Sequence, residues 1–410
     1  MRVFANLFLI LFLADGVFSF VDELVPLLTP LAPFTALRLF LAINVIVLAA
    51  AVYLFLGIDR RLPKRLFLPP IFFVFFVPLS GWLFPGLAEI RIYGLIAAAA
   101  QVVLGMLPLH YFRNGDKRSL TMPAEMFTTP MFSLWNSLAF TAASLIVIPL
   151  VLVIFGLSMV DSYMDGFTSG FMRLEPGGLK MTERIYRRGN RTVRLAAMIH
   201  VGDKNYYDAL SASIVPGRTI VLAEGVSDNS QLLQNSLDYG KMAGFLGLTS
   251  QKQMHIPGRI IDVKELDPGA RSDVKSGKSG AQPEQTDIVM ADVDVSSFRP
   301  PTILLLNAVG KHMEESASFM KGFRALNSWG ENNLTPDMQA IVMDDILHRR
   351  NMVVIGYLDK ALVRYDTIVI PWGALHMKEL EAEVLKRGFK QQEVKERVSV
   401  DFRKMFLSTL

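Results

Sequence analysis

The sequence predicts an α-helical transmembrane bundle followed by an α/β (α+β) domain with a central β-sheet flanked by helices. Three observations carry that expectation. Apolar residues make up 51% of the 410 positions, and they crowd into the first 160, while the rest has the charge density of a soluble protein. The apolar runs of the first part have bilayer length. In the second part, short apolar runs alternate with amphipathic stretches, as strand-helix units do.

Taken in order, Met1 and Arg2 precede an apolar run over 3–14, interrupted by Asn6 and followed by Asp15, Asp22 and Glu23. No small-residue cleavage site ends this run and more apolar runs follow, so it reads as a first, imperfect span or a half-buried helix. Residues 35–57, 66–84, 92–112 and 134–159 are fuller spans, because about 20 residues at 1.5 Å each cross a core of about 30 Å. Pro69, Pro70, Pro78 and Pro149 interrupt them, which membrane helices tolerate where neighbours satisfy the freed carbonyls. Asp15 is the one ionisable residue well inside a span, and its desolvation cost raises a third reading, a transporter whose flux depends on it. Lys and Arg concentrate in the loops 58–65 and 113–118 and are missing from 25–33 and 85–89. Those basic loops belong in the cytoplasm, so a fifth span would deliver the following domain to the extracytoplasmic side. The organisation expected is a transmembrane region of about five helices over 1–162, a glycine-rich connector over 163–190, and a domain over 191–410.

The domain is organised around residues 194–225, RLAAMIHVGDKNYYDALSASIVPGRTIVLAEG. RLAAMIHV and TIVLAEG read as strands and YYDALSASI between them as a helix. One strand ends in His200 and the other in Glu224, and in an open sheet the carboxyl ends of neighbouring strands line one crevice. The expectation is that the two lie side by side. Residues 267–287, rich in Gly, Ser, Pro and charge without apolar periodicity, read as a mobile loop. IVMADVDVSSF follows, with Asp292 and Asp294 alternating with apolar residues as on a strand. A helical stretch spans DMQAIVMDDILHRRNMVVIGYLDKAL, and YDTIVIPWGALHMKELEAEVLKRGF then repeats the strand-histidine-helix pattern, with Gly373 three residues ahead of His376.

Six histidines are present and cysteine is absent, which excludes disulfides and thiolate metal sites. His110 ends a span beside a basic loop, His348 lies in a helix beside Arg349 and Arg350, whose charge discourages cation binding, and His255 and His312 fall in stretches that the pattern does not place. His200 and His376 each end an apolar run and precede a helix. With Glu224 they make two imidazoles and a carboxylate, a set that holds a catalytic divalent ion and leaves a position for water. The alternative for Glu224 is an ion pair with Arg218 or a helix cap. The net charge of +4 comes from short basic loops and mixed charge, so nucleic acid is not a partner. The lipid bilayer is.

The I-H-V-G segment at 199–202, V-L-A-E-G at 221–225 and G-A-L-H at 373–376 together resemble the TraB/GumN/PrgY and Tiki superfamily. The likeness covers about 184–389 and includes R-R-N at 349–351 and A-D-V-D-V-S-S-F at 291–298. The second histidine motif matches G-x-x-H, whereas the first departs from it, with Ala197 in place of glycine. The resemblance implies a Tiki/erythromycin-esterase-like domain, a sheet covered by helices with an internal duplication; the membrane region lies outside it, and the expected setting is the bacterial inner (cytoplasmic) membrane with this domain on the extracytoplasmic side. The resemblance also implies a metal-dependent peptidase acting on extracytoplasmic peptides or proteins, with one ion of Mn, Co or Zn at His200, Glu224 and His376. Glu224 would be the base if other groups held the ion. Asp292, Asp294, Arg350 and Gly373 would assist as ligands, supports or substrate-orienting groups. The competing reading is a non-catalytic peptide-binding or signalling protein of the TraB/PrgY type.

Overall fold

The computed structural model describes residues 1–28, 34–88, 90, 92–114, 117–234, 240, 243–244, 247–266 and 285–407. Of the loop read as mobile, 267–284 lies outside the described residues. The chain forms two compact units, Met1–Met159 and Val160–Leu410.

The first unit contains α1 (Arg2–Leu28), α2 (Thr35–Ile58), α3 (Lys64–Leu83) and α4 (Tyr93–Met106), and holds most of α5 (Leu134–Thr168). Five helical segments, the fourth continuing to Tyr111, are long and apolar enough to cross a membrane. α1 does not break at Asp15. That side chain is buried, and its Oδ2 accepts the Gln101 amide at 2.8 Å, which satisfies part of a carboxyl group that would otherwise interrupt an apolar helix. Close approach of α1 and α4 relies on Gly105, where a Cβ would lie 3.0 Å from the Leu13 backbone. Farther along α1, Asp22 and Glu23 accept Arg38 Nη1 at 2.9 and 3.1 Å.

The second unit is built on a mixed sheet. Its strands are β1 (Met172–Glu175), β2 (Gly178–Arg188), β3 (Arg191–Met198), β4 (Thr219–Ala223), β5 (Arg259–Ile260), β6 (Asp287–Met290), β7 (Thr367–Gly373) and β8 (Lys390–Asp401). The order is β8-β2-β3-β7-β4-β6-β5, with β1 added to β2. From β3 through β5 every pairing is parallel, while β8, β2 and β1 are antiparallel. β4, β7 and the second half of β3 (195–198) are apolar runs, because a parallel sheet is buried on both faces, whereas the first half of β3 carries Arg191, Thr192 and Arg194 where it pairs antiparallel with β2. β8 is a charged edge strand, KQQEVKERVSVD, which discourages pairing with another chain. Buried Glu183 ties this side together, accepting Arg194 Nε at 2.6 Å and Arg397 Nη1 at 2.6 Å, so β2, β3 and β8 share one ion-paired seam.

Two features differ from the sequence expectation. Residues 163–190, read as a connector, supply the end of α5 and then β1 and β2, whose glycines serve the turns between these elements. Gly178 has φ +157, and a Cβ there would meet the Val400 carbonyl at 2.2 Å, so glycine lets the start of β2 lie against β8. The strands before His200 and Glu224 are also not neighbours, because β7 lies between them. A crossover of this length leaves room for a later strand, and local pattern does not encode that insertion.

Helices α6 (Lys204–Ala212), α7 (Pro300–Glu315), α8 (Phe319–Asn333), α9 (Pro336–Met343), α10 (Arg350–Arg364) and α11 (Ala374–Lys386) complete the unit. One π-helical turn, Asp344–Arg349, joins α9 to α10. It is anchored by buried Asp345, which accepts the Arg299 backbone N–H and Nε, both at 2.8 Å, and the Thr302 hydroxyl at 2.7 Å.

The sheet opens where the site forms. β7 pairs with β3 along its whole length but with β4 only from Thr367 to Val369. Pro371, which has no N–H to donate, falls beyond that shorter ladder, and this resolves the oddity of a proline in a central strand. Past the split, the Trp372 indole N–H donates to the Leu222 carbonyl at 3.0 Å, satisfying an acceptor near the end of β4.

Candidate functional site

Glu224 is the first residue after β4, beside the end of β7. Its Oε2 accepts the Gly373 N–H at 2.7 Å, at the N-terminus of α11, where a carboxylate is electrostatically favoured. Its Oε1 accepts Arg350 Nη2 at 2.8 Å and lies 3.7 Å from His376 Nε2. Arg350 opens α10, directly after the π-helical turn. The extra residue of such a turn rotates the following helix relative to the one before, and π-bulges recur at functional sites for that reason. The guanidinium grips Asp292 in bidentate fashion, Nε to Oδ1 at 2.9 Å and Nη2 to Oδ2 at 2.6 Å. Asp292 also accepts the Gly225 N–H at 3.0 Å, so one arginine holds two buried carboxylates together. The Arg350 guanidinium further sits 5.3 Å from the Trp372 ring centroid, a cation–π contact.

His376 is buried in the first turn of α11, its ring edge-to-face with Trp372 at 5.0 Å. Its Nδ1 is 2.7 Å from Asn351 Oδ1, and Asn351 Nδ2 donates to Glu379 Oε2 at 2.6 Å. The amide is thereby oriented with its oxygen toward the ring, so Nδ1 carries the proton and the Nε2 lone pair, beside Glu224, accepts Arg350 Nη1 at 3.4 Å. Burial pulls the imidazole down to about 4; Arg350 adds to the drop, while Glu224 and Asp292 oppose it. His376 is therefore neutral at neutral pH. A further bond, His348 Nδ1 to Glu379 Oε1 at 2.6 Å, extends the chain to the π-helical turn.

His200 lies past the end of β3 and lines the same cavity as Glu224 and Arg350, with Nδ1 2.7 Å from Gln251 Oε1. The two histidine motifs are not equivalent. In the β3–β7 register Gly373 faces Met198, so Ala197 is still inside its strand, where its carbonyl accepts the Tyr206 hydroxyl at 2.7 Å. Gly373, by contrast, caps a helix with φ −51, a conformation open to any residue. The strand expected through Asp292 and Asp294 ends at Met290. Asp292 enters the site from the bend that follows. Asp294 does not, because its carboxylate caps the 3-10 turn Val295–Ser297 and accepts the Ser227 hydroxyl at 2.8 Å and the Asn229 N–H at 3.0 Å. Those hydrogen bonds hold it well below the usual carboxylate range.

Asn351, Glu379, Trp372 and Gln251 were not anticipated as parts of the site. The spacing of His376 and Glu379, three apart on one helix face, is the signal that could have pointed to the second.

For a divalent ion, the donors that converge are His376 Nε2 and Glu224 Oε1. Their 3.7 Å separation is close to the span of about 3.4 Å between two ligands each about 2.1 Å from one tetrahedral ion. The Asn351–Glu379 support behind His376 suits a ligating imidazole, but both donor atoms already face Arg350, Nη2 at 2.8 Å from Glu224 Oε1 and Nη1 at 3.4 Å from His376 Nε2, so the pair could take such an ion only with the guanidinium displaced. Among the described residues, no group of three or more His, Asp or Glu gathers as a metal cluster. Arg350 supplies positive charge beside both donors.

Comparison with family models, with curated proteins and with solved structures finds no match to this chain.

Proposed function

We propose that the protein is a membrane-anchored hydrolase that cleaves extracytoplasmic peptides or proteins, with Glu224, His376 and Arg350 as its central groups. The observation that carries this reading is the convergence of a buried, neutral imidazole on a carboxylate and a guanidinium that line one cavity. The likeness of the three motifs to the TraB/GumN/PrgY and Tiki superfamily supports it.

The residues support hydrolysis as follows. The His376 lone pair takes a proton from an attacking water, and the Glu224 carboxylate stabilises the imidazolium that forms. The Asn351 oxygen keeps the ring in the tautomer this step needs. Arg350, already oriented by Asp292, faces the negative charge that develops on the carbonyl oxygen, and His376 returns the proton to the leaving amine. When bound, an ion of Mn, Co or Zn held by His376 and Glu224, with His200 as the third candidate, would bring a bound water's pKa toward neutrality and polarise the carbonyl.

The test is turnover by the full chain in nanodiscs, with peptide products identified by mass spectrometry. Many peptides converted per molecule, with loss in His376→Ala and Glu224→Gln, is the expected result. Saturable binding near one Mn, Co or Zn per chain, lost in His376→Ala, tests the ion separately. A second reading, peptide capture without cleavage, is favoured by the way Arg350 ties up both carboxylates. Stoichiometric binding with no product would establish it. The basic loops 58–65 and 113–118 support an extracytoplasmic domain, and a reporter fused after Leu410 that is active only in the cytoplasm would refute that orientation.

A further inference from the structure

The cavity beside these groups has a volume of about 760 Å³, enough for several residues of an extended peptide. Twelve of its nineteen lining residues are apolar. Three of these are methionines from different segments: Met198 at the end of β3, Met290 at the end of β6, and Met254 from the loop after Gln251. Leu306 of α7, Phe298 and Ile346 of the π-helical turn add to the wall. The lining also carries Glu224, Asp228, Lys252 and Arg350, of which Glu224 accepts the Gly373 N–H and Arg350 Nη2. Arg350 is held by two carboxylates, and Asp228 accepts the backbone N–H groups of Leu232 and Leu233 at 2.8 and 3.0 Å.

Met290 is 48% exposed at the end of its strand, and it lies over Gly225, where a Cβ would meet its methyl carbon at 2.4 Å. The glycine after Glu224 thus lets a flexible apolar side chain lie directly beside the reactive groups. Thioether side chains are unbranched and polarisable, so a wall of three repacks around guests of different shape. Such a wall rejects charge strongly and discriminates weakly among apolar shapes.

Building on the hydrolase reading, we propose that this cavity is a side-chain subsite that selects a large apolar residue, methionine, leucine or phenylalanine, next to the bond to be cleaved. The guest side chain packs on Met198, Met254 and Met290, and the adjoining carbonyl reaches Arg350, which lies against His376.

The test is equilibrium binding of the peptides Ac-Gly-Gly-X-Gly-Gly-NH2, with X as Met, Leu, Phe, Gly, Asp or Lys, to the full chain in nanodiscs. Turnover of the same peptides is followed in parallel. The Met, Leu and Phe peptides should bind within a few-fold of one another and roughly ten- to hundredfold tighter than the Asp and Lys peptides. Met290→Asp, a partly exposed position, should erase that preference without lowering the melting temperature, and Gly225→Ala should weaken it by displacing Met290. Equal binding of all six peptides, no binding, or an unchanged preference in Met290→Asp would each overturn the subsite. Selective binding without turnover would retain the subsite and refute the hydrolase, whereas turnover indifferent to X would do the reverse.

Discussion

Replacing Arg350 by methionine removes the one cation that holds Glu224 and Asp292 together. The side chain of Asp292 is fully buried and that of Glu224 is 4% exposed, so the variant strands two carboxylates where water cannot solvate them. Breaking a buried pair by removing one partner costs about 3–5 kcal/mol, because the remaining charge is left uncompensated. For a domain of this size each kcal/mol lowers the melting temperature by roughly 2–4 °C, which places the expected drop on the order of 10 °C. Buried Trp372, against which the guanidinium packs, makes tryptophan fluorescence a suitable probe of the domain in the intact chain. Two companions sharpen the test. Arg350→Lys keeps the charge but not the bidentate fork and should recover only part of the loss. The triple variant Arg350→Met, Glu224→Gln, Asp292→Asn, in which nothing charged is stranded, should recover most of it. A melting temperature within 2 °C of the parent at neutral pH would refute the reasoning.

Three further outcomes follow from the same geometry. Asp345, where burial acting to raise the carboxyl is outweighed by Arg299 and Thr302, is held at about 2, so its contribution of about 2 kcal/mol is present above about pH 4 and lost as pH falls toward 2; Asp345→Asn should remove it at pH 7 and flatten the parent's acid limb in that window. Asn351→Ala frees the His376 tautomer and leaves Glu379 to His348, and turnover should fall roughly 10–100-fold; an unchanged turnover number would separate Asn351 from the chemistry. Gly373→Ala should be tolerated, with melting temperature within about 2 °C of the parent, because φ is −51 and the added carbon would sit at ordinary contact, 3.5 Å from His376 Cδ2 and 3.6 Å from Glu224 Oε2; a collapse of folding would show that the turn demands glycine.

Much of this protein was legible from its residues. Runs such as TIVLA and TIVIPW could form only strands buried on both faces, and bilayer-length apolar segments could form only spanning or deeply buried helices, because these are local consequences of hydrophobicity and period. Glu224, Arg350, Asp292 and His376 were all named from chain position and motif, and the structure brings those four together. What local pattern does not carry is order and phase. The sheet places β7 between β3 and β4, so Glu224 meets Gly373 and His376 directly while His200 takes the cavity wall. The short β4–β7 ladder opens the crevice, with Pro371 just past its end. The π-helical turn rephases α10 so that Arg350 reaches both carboxylates, whereas Asp294, two residues from Asp292, faces away to cap a turn. Each of these was decided by contacts between segments tens to more than a hundred residues apart, where the energy lies in packing and charge pairing that no single stretch contains.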